Sequence, residues 1–149
     1  MKKLFLFSIL FHIALLSASA QQNSKPFRAY LYNNDYEVFM RLDLYGESIT
    51  VPGQELYGEL PGYLGKKHNS FCWLITSSKI DGEKAELQMI NDYGSEDLTA
   101  TLTVENDSLY VLRQVEGSTL KVPKDGKWQK LPSKLVFKRR KGVIITLRP

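Results

Sequence analysis

The sequence predicts an all-β fold, a small antiparallel meander barrel of about eight to ten strands, with a two-sheet β-sandwich as the alternative architecture. Three observations predict it. Apolar and polar residues alternate with period two along most of the chain. Turn-forming pairs recur at hairpin spacing. Beyond the first twenty residues no stretch reads as a convincing helix, the longest helical alternative, Gln54 to Gly65, being broken by Gly58, Pro61, Gly62 and Gly65. The chain has 149 residues of which 43% are hydrophobic, enough for one domain with a core and far from the composition of a disordered chain.

Lys2 and Lys3 precede an apolar stretch from Leu4 to Leu16, and Ala18-Ser19-Ala20 then offers small residues at the −3 and −1 positions of a cleavage site. These are the parts of a secretory signal peptide over residues 1–20. Its apolar run, ~13 residues, is short for a ~30 Å hydrocarbon layer. The mature chain is therefore expected to start at Gln21, in the periplasm or outside the cell, with no membrane span. Residues 21–26 read as a polar leader ending in Pro26, residues 27–141 as a single all-β domain, and residues 142–149 as a short tail or a last strand.

Within the domain the strands follow in order. The segment from Phe27 to Leu31 turns through Asn33-Asn34-Asp35 into a half-buried strand, with Tyr36, Val38, Met40, Leu42 and Leu44 on one face. Tyr45-Gly46-Glu47 leads to a short strand from Ser48 to Val51. About twenty residues without strand pattern follow, up to Ser70, unusually long for a structureless connection. Phe71 to Ile80 and Glu83 to Ile90 form a hairpin about Asp81-Gly82. Leu98, Ala100, Leu102 and Val104 alternate with threonines. Asn106-Asp107 and Glu116-Gly117 then turn into strands from Ser108 to Val115 and from Thr119 to Val122. Lys124-Asp125-Gly126 makes another turn, Pro132 interrupts, and Leu135 to Lys138 closes the series.

In strand number and chain length the chain resembles the calycin-like barrels, which include lipocalins, fatty-acid-binding proteins and small periplasmic inhibitors. The likeness is one of shape. The Gly-x-Trp signature of lipocalins near the first strand is absent, and the first tryptophan is Trp73.

Charge is unevenly placed. From Gln21 to Leu120 there are 8 basic against 15 acidic residues, and from Lys121 to Pro149 there are 10 basic against one acidic, Asp125. An acidic body thus ends in a basic segment suited to an anionic partner, a glycan or an acidic protein, nucleic acid not being expected after export. Arg139, Arg140 and Lys141 break the strand alternation and are the candidate contacts for such a partner. The alternative is that the lysines of this segment pair across strands with the acidic body.

Other constellations are thin. His68 and Cys72 are the only histidine after residue 20 and the only cysteine, and an extended chain would hold them ~13 Å apart, too far for proton transfer. One cysteine also excludes an internal disulfide. Asp92, Glu96 and Asp97 lie in an oxygen-rich loop that could approach calcium, although the EF-hand spacing is not met; no cofactor is expected. The loop before Ser70 carries Leu56, Tyr57, Leu60, Tyr63 and Leu64, suited to plugging or covering a barrel mouth. Tyr57, Tyr63, Trp73 and Trp128 are the candidate ligand contacts. The leading expectation is an exported, non-enzymatic binding module that recognises a small molecule or a macromolecule through its loops and barrel mouth. The alternatives are an inhibitor or envelope-interaction protein docking through its basic end, and a hydrolase.

Overall fold

The computed structural model describes residues 24–142; the signal peptide expected over residues 1–20, the first residues of the expected leader and residues 143–149 lie outside the described residues. Twelve strands occur in this range: β1 Arg28–Asn33, β2 Val38–Asp43, β3 Ile49–Thr50, β4 Glu59–Leu60, β5 Gly62–Lys66, β6 Cys72–Asp81, β7 Lys84–Asn91, β8 Asp97–Val104, β9 Leu109–Gly117, β10 Lys121–Lys124, β11 Lys127–Lys130 and β12 Lys134–Arg139. Eight of them, in the order β1-β12-β9-β8-β7-β6-β5-β2, close into an antiparallel barrel. The expected meander barrel is the fold; the two-sheet sandwich is not. The meander is interrupted twice by two-stranded ribbons, β3-β4 between β2 and β5, and β10-β11 between β9 and β12.

The period-two pattern explains the wall. Val38, Met40 and Leu42 of β2, Ala85, Leu87 and Met89 of β7, and Leu98, Ala100 and Leu102 of β8 all enter the same buried cluster. Their polar neighbours face out, as pleating requires. Two bulges shift that rhythm. One lies between Ile75 and Ser77 of β6, after which Ser78 and Ile80 take the inward positions opposite Leu87 and Ala85. The other lies between Thr99 and Ala100, where β9 spends one extra residue, Val115, which is left exposed.

The segment from Val51 to Ser70 differs from the sequence expectation. It is not a structureless connection, and it neither plugs nor covers a barrel mouth. It contains β4 and the barrel strand β5, and β3-β4 packs against the outside of the wall, where Ile49, Val51 and Leu60 meet Tyr63, Cys72 and Leu74. Two glycines give β5 the look of a loop in the sequence. At Gly65 a side chain would meet the Phe39 ring at 2.5 Å, and at Gly62 (φ +157) it would meet the Arg41 carbonyl oxygen at 2.2 Å. Both positions need glycine for close approach rather than for a turn.

Other segments close the barrel's ends. At one end Leu120, Val122 and Leu131 from the β10-β11 ribbon and its flanks join the central core, and the buried Trp73 donates its indole Nε1–H to the Lys121 carbonyl at 2.9 Å. At the other end Phe27 is fully buried, Leu44 N–H donates to the Phe27 carbonyl at 3.1 Å, and the Tyr110 hydroxyl donates to the Pro26 carbonyl at 2.8 Å. We call these the ribbon end and the leader end. Between them Trp73, Met40, Leu64, Leu87, Leu102, Tyr110 and Phe137 fill the interior.

The leader end is also organised by Asp43, which accepts from the Ser48 hydroxyl at 2.6 Å and the Gly46 N–H at 3.0 Å, with Arg28 Nε at 3.9 Å. Burial pushes its carboxyl pKa up, but these donors and the Arg28 charge outweigh burial and hold it below the ordinary value.

Two outcomes follow from this closure. Phe27→Ala is expected to lower stability by about 3–5 kcal/mol, read from urea unfolding, because it removes the leader-end plug and leaves a cavity; a loss below about 1 kcal/mol would show that Phe27 does not seal the core. Because the Asp43 pKa is depressed in the folded state, its contribution is present above the unfolded carboxylate value and fades as pH falls through the folded one. Asp43→Asn should therefore be less stable at neutral pH by about 1–2 kcal/mol and converge on the native protein in acid; parallel pH curves would contradict this.

Candidate functional site

Ring closure sets the geometry of the site. Neighbouring barrel strands elsewhere share four to eight register pairs, but β1 and β12 share two, Leu31↔Arg139 and Tyr32↔Lys138. Side chains supplement this seam. Asn33 Nδ2 donates to the Val136 carbonyl at 2.9 Å, and Arg139 reaches the Tyr110 hydroxyl at 3.3 Å and the Arg28 carbonyl at 3.2 Å. Over the seam runs a groove of about 630 Å³, lined among others by Tyr30, Tyr32, Lys67, Lys138, Arg140 and Lys141 and by no carboxylate. Tyr30 and Tyr32 face out from β1 because Ala29 and Leu31 face in. Tyr30 is further held by stacking on Phe39, with ring centroids 5.5 Å apart. Burial raises the Tyr30 hydroxyl pKa, and the positive charges of Arg140 and Arg41 work against that rise.

The basic run divides in two. Arg139 is half-buried and committed to the seam by the bonds above, so it positions strands. Arg140 and Lys141 are exposed at the leader end of the groove, and Lys138 stands between them and Lys67. Pairing with the acidic body does not absorb these charges. Among the described residues the ion pairs are Arg28–Asp43, Lys66–Glu37 and Lys121–Glu96, so of the basic segment from Lys121 onward only Lys121 has an acidic partner.

The four aromatic candidates separate into different environments. Trp73 is a core residue with its N–H already bonded, so it presents no face to solvent. Tyr63 is buried on the outer wall, edge-on to Phe39 at 5.7 Å. Trp128 is 48% exposed and packs edge-on against Phe71 at 5.0 Å, with the Lys121 ammonium 5.4 Å from its ring centroid. Tyr57 is exposed, its hydroxyl beside Gly94. Tyr93, 72% exposed and 6.0 Å from Phe71, completes an aromatic rim at the ribbon end.

The oxygen-rich loop is used internally. Asn91 Oδ1 accepts from the backbone N–H of Ser95 at 2.9 Å and of Glu96 at 3.3 Å, while Glu96 binds Lys121 at 2.8 Å and accepts from Asn91 Nδ2 at 3.2 Å. Asp97 is exposed at the start of β8, and burial raises the pKa of the Asp92 carboxyl. Among the described residues no three His, Cys, Asp or Glu side chains gather as a metal site. His68 is exposed in a turn at φ +56, while Cys72 is buried behind the β3-β4 ribbon. Burial, followed by the nearby Asp92 charge, pushes the Cys72 thiol up to about 11. A thiol so placed stays protonated and unreactive near neutral pH.

Tyr30, Tyr32, Lys67 and Lys138 did not emerge from the sequence as a set. The outward alternation of Arg28, Tyr30 and Tyr32 was readable; their place beside Lys138 depends on a closure between opposite ends of the chain. No family model matches the chain, and searches of curated proteins and of solved structures found no match either. Among the described residues no helix is long and apolar enough to cross a membrane.

The chemistry of Cys72 has a direct check. At pH 8 the folded protein is expected to resist iodoacetamide and to take up one equivalent once unfolded in urea, read by mass spectrometry; labelling of the folded protein at the unfolded rate would show the thiol to be open.

Proposed function

We propose that this chain is an exported, non-enzymatic binding protein that docks an anionic partner along the basic seam between β1 and β12. The observation that carries the reading is the groove itself, with the cations of Lys67, Lys138, Arg140 and Lys141 along it and no acidic residue in its lining. A filled interior closed at both ends supports placing recognition on the outside of the barrel, not inside its mouth. From Tyr30 to Asn34 the groove follows five residues of chain, a reach of ~13 Å. Cations spread along that length suit an extended anion better than a single phosphate-sized one. Tyr30 and Tyr32 add apolar faces with hydroxyl tips, a combination common where partners dock.

A buried unreactive thiol and an exposed histidine supply no nucleophile–base pair, which supports a binding role over hydrolysis. A second reading is favoured by the rim of Trp128, Tyr93 and Tyr57, where exposed rings gather at the loops of the ribbon end and two of them rest on Phe71. It would use the loops for contact, with Trp128 as the anchor.

Poly-glutamate and polygalacturonate, with dextran as the neutral control, separate these readings. Binding of the acidic polymers is expected to weaken steeply as salt rises from about 0.05 to 0.3 M. It should fall more than about tenfold in a Lys138→Glu/Arg140→Glu/Lys141→Glu variant whose melting temperature is unchanged. Salt-insensitive binding, or full binding by that variant with loss in Trp128→Ala, would move the site to the aromatic rim.

A further inference from the structure

We propose that the anionic partner is a polypeptide, and that an extended acidic segment of it adds as a strand to the open edge of β12. This rests on the seam being the anion-binding surface and names what binds there. Hydrogen-bond parity locates that edge. In an antiparallel ladder, the backbone groups of successive residues point alternately to the two neighbouring strands. Ser133 O accepts from Gln114 N–H at 2.8 Å and Arg139 N–H donates to Ser108 O at 2.8 Å, so the odd-numbered residues of β12 face β9. The even-numbered residues Lys134, Val136 and Lys138 then turn their N–H and C=O groups toward β1. Arg140 N–H donating to Tyr30 O at 2.9 Å confirms the parity.

On that side β1 does not continue. Its register with β12 stops at Tyr32↔Lys138, because the chain turns through residues 34–37 into β2. From Lys134 to Phe137, β12 has a strand neighbour on the β9 side and none on the other among the described residues. A side chain partly stands in, Asn33 Nδ2 donating to the Val136 carbonyl. Beside this edge lies a groove of about 470 Å³, bounded by Asn34, Asp35 and Tyr36 on one side and Lys134 and Val136 on the other. A barrel normally removes its edges by closing, and this one leaves about one turn of the ladder open.

Charge selects the occupant. The side chains that stand out from the open edge are Lys134, Val136 (44% exposed) and Lys138. A second copy of this edge would set lysines against lysines, which disfavours self-pairing. Side chains on one face of a strand are two residues apart, so a segment of the pattern Glu-x-Val-x-Glu would set its apolar residue beside Val136 and its acidic ones toward Lys134 and Lys138. Its backbone would supply the ladder bonds and its side chains the selection, as in other strand-addition complexes.

The test uses the mature protein with three probes: the capped peptide Glu-Thr-Val-Thr-Glu, its Lys-Thr-Val-Thr-Lys counterpart, and a glucuronate oligomer of matched charge that has no peptide N–H. The acidic peptide alone is expected to protect the Lys134 and Val136 amides from hydrogen exchange. Val136→Pro, which removes an N–H facing the seam and none facing β9, should lose about tenfold or more in affinity for that peptide while keeping its affinity for the glucuronate oligomer. Equal binding of peptide and oligomer without amide protection would overturn strand addition and leave the seam an anion site. Failure of both acidic probes would overturn the seam reading as well. The exchange measurement on the unaltered protein decides the matter even where Val136→Pro does not fold.

Discussion

The interior of this barrel must be filled, and nearly everything else follows from that. Eight short strands enclose a space that large inward side chains can occupy, and here Trp73, Met40, Leu64, Leu87, Tyr110 and Phe137 pack into it as one buried cluster. A filled cylinder still has two ends through which water would reach apolar groups. The chain uses its own excursions to cover them, Phe27 at one end and the β10-β11 ribbon at the other. The polar ends of the buried aromatics are satisfied in the same places, Trp73 by the Lys121 carbonyl and Tyr110 by the Pro26 carbonyl. The covers are therefore hydrogen-bonded into the core as well as packed on it.

Closure has a weaker consequence at the seam. β1 and β12 come from opposite ends of the domain, so their pairing closes the longest loop in the molecule. Only two register pairs form there, and Asn33 and Arg139 add side-chain bonds where ladder bonds end. Arg139 illustrates how one residue can be misassigned by charge alone. Within a basic run it looks like a contact residue, yet its guanidinium has two acceptors inside the fold and takes no place among the free cations.

Much of the wall was legible because each strand carries its own alternation. The threonine-alternating β8 and the Asp81-Gly82 hairpin between β6 and β7 need no distant partner to be recognised. β5 was not legible: Gly62 and Gly65 look like loop residues, and the reasons for them, the Arg41 carbonyl and the Phe39 ring, belong to the neighbouring strand. The same limit applies to the site. Trp73 and Trp128 are alike as letters, but the first is sealed under the ribbon and the second stands on it. Tyr93 carries no signal of its own in the sequence, because the packing that makes it part of a rim runs through Phe71, 22 positions earlier.

The charge asymmetry of the chain becomes a spatial one because β10, β11 and β12 are consecutive and β12 is carried round to β1. Like charges gathered on one stripe repel, which opposes compactness. In a fold that needed those cations internally, the repulsion would be offset by ion pairs, as it is where Lys121 meets Glu96 and the buried Lys66 meets Glu37. Lys134, Lys138, Arg140 and Lys141 have no such offset among the described residues, and Lys134 and Lys138 border the groove where the sheet is least complete. An anion arriving there lowers the repulsion, and an anion that brings backbone N–H and C=O groups also completes the sheet. The two deficits of this surface, charge and pairing, coincide at β12, and one kind of partner satisfies both.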